Sequence, residues 1–126
     1  TNYLNMQRVR FGNALFFSIN IQDPIQNSGK VPVYSLQVLA ENAIKHNILT
    51  KEQPLYIEIK LSNDKQYILI ENNLQPKISS HGKNGIGLTN LSERYRMLNE
   101  EDIRIEKSLK HFCVTIKIIK DAGSNS

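Results

Sequence analysis

A clean two-residue alternation in the middle of the chain limits the folds open to it most severely. Over 55–61, Leu55, Ile57, Ile59 and Leu61 are apolar while Tyr56, Glu58 and Lys60 lie between them, the pattern of a half-buried strand. Ser62-Asn63-Asp64 reads as a turn, and 67–71 as the returning arm of a hairpin. A central hairpin commits the sheet to antiparallel pairing there. A doubly wound nucleotide fold would instead need a helix after nearly every strand.

The flanking segments complete the pattern. Residues 3–10 have helical composition, and Phe11-Gly12 ends them with a glycine stop. Over 14–22, Leu15, Phe17, Ile19 and Ile21 share one face and Phe16, Ser18 and Asn20 the other, predicting a strand. Asp23-Pro24 and Asn27-Ser28-Gly29 mark an irregular connection. Over 36–47, Leu36, Leu39, Ala40, Ala43 and Ile44 form the apolar stripe of a helix. Leu88, Leu91, Tyr95 and Leu98 form a second stripe, entered through Gly85-Ile86-Gly87. Ile103 and Ile105 mark a short strand, and Phe112, Val114, Ile116 and Ile118 a longer one. Residues 72–84 keep no period and are polar, and 121–126 read as a disordered tail. Hairpins separated by helices predict an α/β (α+β) two-layer sandwich, with a mixed, mostly antiparallel sheet covered on one face by helices.

The chain's 126 residues suffice for one domain with a single core, and 40% hydrophobic with 22% charged residues is the composition of a folded chain. The net charge of +4 comes without a Lys/Arg block, so no nucleic-acid partner is expected. The excess also suits a polyanion such as a nucleotide. Cys113 is the single cysteine and cannot form an internal disulfide, in keeping with a reducing compartment. No apolar run approaches the roughly 20 residues of a membrane span.

Two stretches carry chemistry. The polar side of the 36–47 helix holds Glu41, Asn42, Lys45 and His46. At spacings of three and four, Asn42 neighbours Lys45 and His46, and Glu41 neighbours Lys45. An amide, an ammonium and an imidazole there can hold a magnesium ion and a chain of phosphates. A solvated face with an ordinary Glu41–Lys45 pair explains the same residues. Gly85-Ile86-Gly87-Leu88 opens the later helix, where glycines let backbone approach a ligand and free N–H groups favour phosphate. A flexible helix entry would use the same glycines. It is neither a Walker loop, since no Gly-Lys-Ser/Thr ending follows, nor a dinucleotide fingerprint, since no strand precedes it.

Glu41-Asn42-Ala43-Ile44-Lys45-His46 resembles the N-box of the histidine-kinase-like (GHKL) ATPases. Gly85-Ile86-Gly87-Leu88-Thr89-Asn90-Leu91, with Glu93-Arg94, resembles their second glycine box. The wording is most similar to LytS-type sensor histidine kinases, whose catalytic domains also begin with a helix ending in Arg-Phe-Gly, as Arg10-Phe11-Gly12 does. The resemblance implies the Bergerat ATP-binding fold over 13–120, with 1–12 as the end of a preceding dimerisation or linker helix. It implies ATP and Mg²⁺ as ligands. Asn42 would ligate the metal, and Lys45 and His46 would face the phosphates. Gly85, Ile86, Gly87 and Leu88 would bring backbone to them, and Glu41 would orient water or metal as the catalytic residue.

The Asp-x-Gly that usually reads adenine stands here as Asn72-Asn73-Leu74, so Asn72 would accept from the base through a neutral amide. The usual Gly-Thr before the last strand reads His111-Phe112. Residues 75–84 would be a short ATP lid, with Lys77 or Lys83 reaching phosphate. None of His46, His81 and His111 has the Pro-His-Phe setting of an acceptor histidine, which the resemblance therefore places upstream. The implied activity is that of a protein histidine kinase passing the γ-phosphoryl to that histidine, within a homodimer that serves a response regulator. The implied setting is the cytoplasmic side of a membrane-anchored bacterial sensor. The alternative is a nucleotide-binding fold kept as a regulatory or docking module without productive ATP use.

Overall fold

In chain order the computed structural model runs α1 (Asn2–Phe11), β1 (Leu15–Asn20), β2 (Gly29–Lys30), α2 (Ser35–His46), β3 (Leu55–Leu61), β4 (Tyr67–Asn73), α3 (Ile86–Met97), β5 (Arg104–Lys107), β6 (His111–Lys117) and β7 (Ile119–Lys120). The structure describes residues 2–20, 29–30, 35–75, 86–98 and 100–120. Gly12 takes φ +58, the left-handed conformation that glycine adopts without penalty, and turns the chain out of α1 through one 3₁₀ turn into β1.

The main sheet has the order β1-β3-β4-β6-β5. β1 lies parallel to β3, with Leu15 opposite Leu55, and the other neighbours are antiparallel. The sheet is thus mixed and mostly antiparallel, as the central hairpin requires. Period-two alternation sends Leu55, Ile57 and Ile59 of β3, Ile68 and Ile70 of β4, and Val114 and Ile116 of β6 to one face. Against that face pack Leu39, Ala40, Ala43 and Ile44 of α2 and Leu88, Leu91 and Tyr95 of α3, joined by Leu4 of α1. Each large apolar side chain so buried stabilises the fold by roughly 1.5–3 kcal/mol. Tyr95 is fully buried and donates its phenol to the Lys117 carbonyl at 2.5 Å, which satisfies its polar end. Burial pushes that phenol far above its ordinary pKa.

Several expectations need correcting. The alternation puts Ile19 on the face of Leu15, yet it is 40% exposed, because β1 is the sheet edge and only its start is covered. Leu98 falls after the end of α3 and is 48% exposed. Ile105 lies in a short strand as expected, and that strand, β5, is the other edge of the sheet with every residue exposed. The second hairpin arm runs two residues further than expected, to Asn73. Gly29, placed in an irregular connection, pairs in β2 with Lys120 of β7, a two-stranded sheet too short to announce itself in sequence. Ile21 and the rest of that connection lie outside the described residues.

The β3–β4 turn is held by Asp64, which accepts from the Ser62 hydroxyl at 2.6 Å and from Gln66 N–H at 2.9 Å. The Ser62 bond, and after it the Gln66 bond, hold the Asp64 carboxyl below its ordinary value. A depressed folded pKa means the contribution is present above the unfolded carboxylate pKa and lost as pH falls through the folded one. Titration of Asp64 by NMR is expected to give a midpoint below 3.8, and Ser62→Ala is expected to move it upward. An unshifted midpoint would show that the turn is open in solution.

Candidate functional site

The 36–47 helix forms, displaced by one residue, as α2. Leu39, Ala40, Ala43 and Ile44 are buried and Leu36 half-buried, leaving Glu41 and Lys45 exposed and Asn42 and His46 half-buried on the other side. Among the described residues no ion pair joins Glu41 to Lys45. Glu41 lies on the side of α1. Burial pushes the Tyr3 phenol up, and the Glu41 carboxylate adds to that, against Arg10.

Asn47, just past α2, is 3% exposed and closes the helix with its side chain. Its Nδ2 donates to the Ala43 carbonyl at 2.8 Å, and its Oδ1 accepts from Gln75 N–H at 2.7 Å. One otherwise orphaned helix carbonyl is thereby satisfied. The Gln75 side chain then donates to the carbonyls of Ile48, Gln53 and Pro54 at 3.0–3.3 Å. Asn47 and Gln75 fasten the end of α2 to the end of β4. Neither residue stood out in the sequence, since a single amide in a polar stretch carries no periodic signal.

The second box sits differently from the sequence expectation. α3 already begins at Ile86, so Gly87 is its second residue rather than part of a loop before it, and its φ is not positive. What Gly87 provides is closeness. A Cβ built on it would stand 3.3 Å from Val38 Cγ1, so the first turn of α3 lies against α2. Val38 and Asn42 are four residues apart on α2 and share a side of it. The start of α3 therefore stands within one helical turn of Asn42 along α2. The first turn of a helix presents N–H groups without intrahelical acceptors at its positive dipole end. Leu88 turns its side chain into the core, which leaves its backbone N–H as its offering there. Gly85, His81, Lys77 and Lys83 lie outside the described residues.

At the end of β4, Asn72 is 3% exposed and shares the helix-covered face with Ile68 and Ile70. Its Nδ2 donates to the Asn73 carbonyl at 2.7 Å, so the amide nitrogen is engaged. Asn73 points the other way. It accepts from Tyr56 N–H at 2.7 Å and donates to the Pro54 carbonyl at 3.1 Å, fixing the start of β3. Leu74 N–H donates to the Lys110 carbonyl at 2.8 Å. The Asn72-Asn73-Leu74 stretch is thus a built strand end. His111, across from Asn73, is exposed.

No family model matches the chain. Over 99 residues it is 35% identical to the sensor histidine kinase YesM of Bacillus subtilis, covering 74% of this chain and 17% of that protein. It is 27% identical over 106 residues to the sensor protein LytS of Enterococcus faecalis (73% and 18%). With the sensor histidine kinase/phosphatase LytS of Staphylococcus aureus it shares 27% over 115 residues (76% and 19%). The chain spans less than a fifth of the length of these relatives. In fold it is similar to the blue-light activated histidine kinase EL346 of Erythrobacter litoralis, with TM-score 0.59, 10% identity, and 98% of this chain and 41% of that one covered. It is also similar to the histidine kinase AdeS of Acinetobacter baumannii, with TM-score 0.55, 14% identity and 93% and 61% coverage. With its mixed sheet, its helix layer and these relatives in view, the chain is a histidine-kinase-like (GHKL) domain, near those of the LytS-type sensor histidine kinases.

Proposed function

We propose that this domain binds Mg²⁺-ATP between α2 and the start of α3, and positions the γ-phosphoryl for transfer to a histidine upstream of it. The observation that supports this best is the close approach of Gly87 to Val38, one helical turn from Asn42. Asn42 offers an amide oxygen to Mg²⁺, and Lys45 and His46 offer cationic or N–H groups to the phosphates. Gly85, Ile86, Gly87 and Leu88 offer backbone N–H groups. Glu41 orients water or metal at the transfer step. Among the described residues no group of three His, Cys, Asp or Glu could hold a metal. One amide oxygen suits Mg²⁺, which keeps waters and substrate phosphates as its other ligands. The ion, when bound, neutralises phosphate charge. Transfer of this kind is mostly positioning and electrostatics.

In this proposal the domain works within a homodimer beside its own dimerisation helices, on the cytoplasmic side of a membrane-anchored sensor, and serves a response regulator. Thermal melting tests the nucleotide part. Saturating Mg²⁺-ATP at about 100 Kd should stabilise by roughly 2.7 kcal/mol and raise Tm by several degrees. An unchanged Tm with millimolar Mg²⁺-ATP would favour the docking module that uses no nucleotide.

Asn72 reads the adenine amino group through its Oδ1. On charge alone, Asn72→Asp should tighten ATP binding about fivefold and spare GTP. Its hydrogen bond to Asn73 opposes this, since a buried carboxylate would face the Asn73 carbonyl with no proton to donate. The expected outcome is a protein destabilised by about 1–3 kcal/mol, with an ATP preference over GTP greater than the parent's. Calorimetry on both nucleotides checks it, and an unchanged ATP/GTP ratio in a folded variant would remove Asn72 from base reading.

A further inference from the structure

We propose that the open face of the sheet, opposite the helices, carries a groove that binds an arginine side chain presented by a partner protein. A cavity of about 500 Å³ lies there, bordered by Phe16, Tyr56, Glu58, Glu71, Asn73 and His111. The cavity is also bordered by Asn72, but the aromatic and charged side chains named here stand on the face opposite Asn42, because they alternate with the core-facing ones along each strand. Register builds it from two adjacent rows. In the first, Phe16 pairs with Tyr56 across β1 and β3, and Asn73 with His111 across β4 and β6, while Asn73 Oδ1 accepts from Tyr56 N–H. In the second, Glu58 stands opposite Glu71.

The chemistry of the rows selects the occupant. Phe16 and Tyr56 stack with ring centroids 5.2 Å apart and 15° between planes, an aromatic pair that borders the groove. Beside it, two carboxylates share one nearby cation, Lys60, whose ammonium stands 3.8 Å from Glu58 and 3.6 Å from Glu71. Among the described residues at this end of the groove, one ammonium faces two carboxylates, and the next cation, Arg8, stands over Phe16. Exposed pairs at such distances are weak and readily rearranged. A planar cation that stacks on aromatic faces and forks onto carboxylates is a guanidinium. The protein already uses this chemistry next door, where the Arg8 guanidinium of α1 lies 5.1 Å from the Phe16 ring centre. The volume is in the range of ligand clefts, but the groove lies on a sheet face that no described element covers, which suits a side chain delivered on a protein better than a free small cation.

The test is an NMR titration of the ¹⁵N-labelled 126-residue chain with acetyl-Gly-Arg-Gly-amide, alongside the same peptide carrying citrulline or lysine in place of arginine. Citrulline keeps the shape and removes the charge. The expected result is saturable shifts at the amides of Phe16, Tyr56, Glu71 and His111, at least fivefold weaker binding in Glu71→Gln, and no saturation with citrulline. Tyr56→Leu, which keeps an apolar side chain on the strand, should weaken binding severalfold too. Non-saturable shifts, shifts elsewhere, undiminished binding in Glu71→Gln, or equal binding of the citrulline peptide would overturn the proposal. Equal binding of the lysine peptide would also overturn it, because the stacked pair would then play no part. Mg²⁺-ATP binding is not expected to change in either variant, so the groove and the nucleotide site stand or fall separately.

Discussion

Asn42→Ala is expected to remove most Mg²⁺-dependent ATP affinity while leaving the domain folded. Asn42 is half-buried beside the apolar stripe of α2 and is a polar residue at the edge of the core rather than inside it. Alanine is also the best helix former, so the helix itself should not suffer. What is lost is the oxygen offered to the metal. An interaction with a charged partner is worth about 1.5–3 kcal/mol, or roughly 10- to 150-fold in affinity. The effect should be confined to the metal-bound nucleotide, with ATP in EDTA binding parent and variant alike. Calorimetry with and without Mg²⁺ separates the two. A variant that binds Mg²⁺-ATP as the parent does would take Asn42 out of the site.

Gly87→Val is the second large effect, and the structure alters what it should show. A glycine needed only for close approach to phosphate would lose affinity and keep its stability. Gly87 also packs against Val38 Cγ1, with a Cβ position 3.3 Å away, so a Cβ there already crowds Val38 and the branched valine crowds it further. Overpacking of this kind costs about 1–3 kcal/mol, a Tm fall of several degrees in a domain of this size. Trimming the opposing residue should relieve it. The double variant Gly87→Val with Val38→Ala is expected to recover more than half of the lost Tm. It should not recover ATP affinity, since the valine still stands at the helix start. Melting and calorimetry on the three proteins decide this. Full recovery of both properties would mean that Gly87 serves packing alone.

The sheet was legible because its signals are local. Alternation at 55–61 and the turn at Asp64 fix the hairpin, and helical stripes at Leu39–Ala43 and Leu91–Tyr95 spacing fix the layer above it. Edges were not legible. Whether Ile19 or Ile105 is covered depends on strand order, which no window of sequence contains. The two boxes were legible as motifs, and Asn42 and His46 fall on the expected side of α2. The contact between the two helices that carry them falls on Val38, an apolar residue outside the stripe and invisible as a site residue. The clamp of Asn47 and Gln75 was hidden for another reason. It links positions 28 residues apart by hydrogen bonds that no periodicity encodes.

The most direct measurement of the central claim is an NMR titration of the uniformly ¹⁵N-labelled chain with ATP in the presence of Mg²⁺. Amide shifts should saturate together at Asn42, His46, Gly87 and Leu88, on α2 and the first turn of α3, with Asn72 following. Phe16, Tyr56 and Glu71 on the open face should stay in place. Saturating shifts on the open face with Asn42 and Gly87 unmoved, or no saturable shifts at all, would contradict a nucleotide site between α2 and α3.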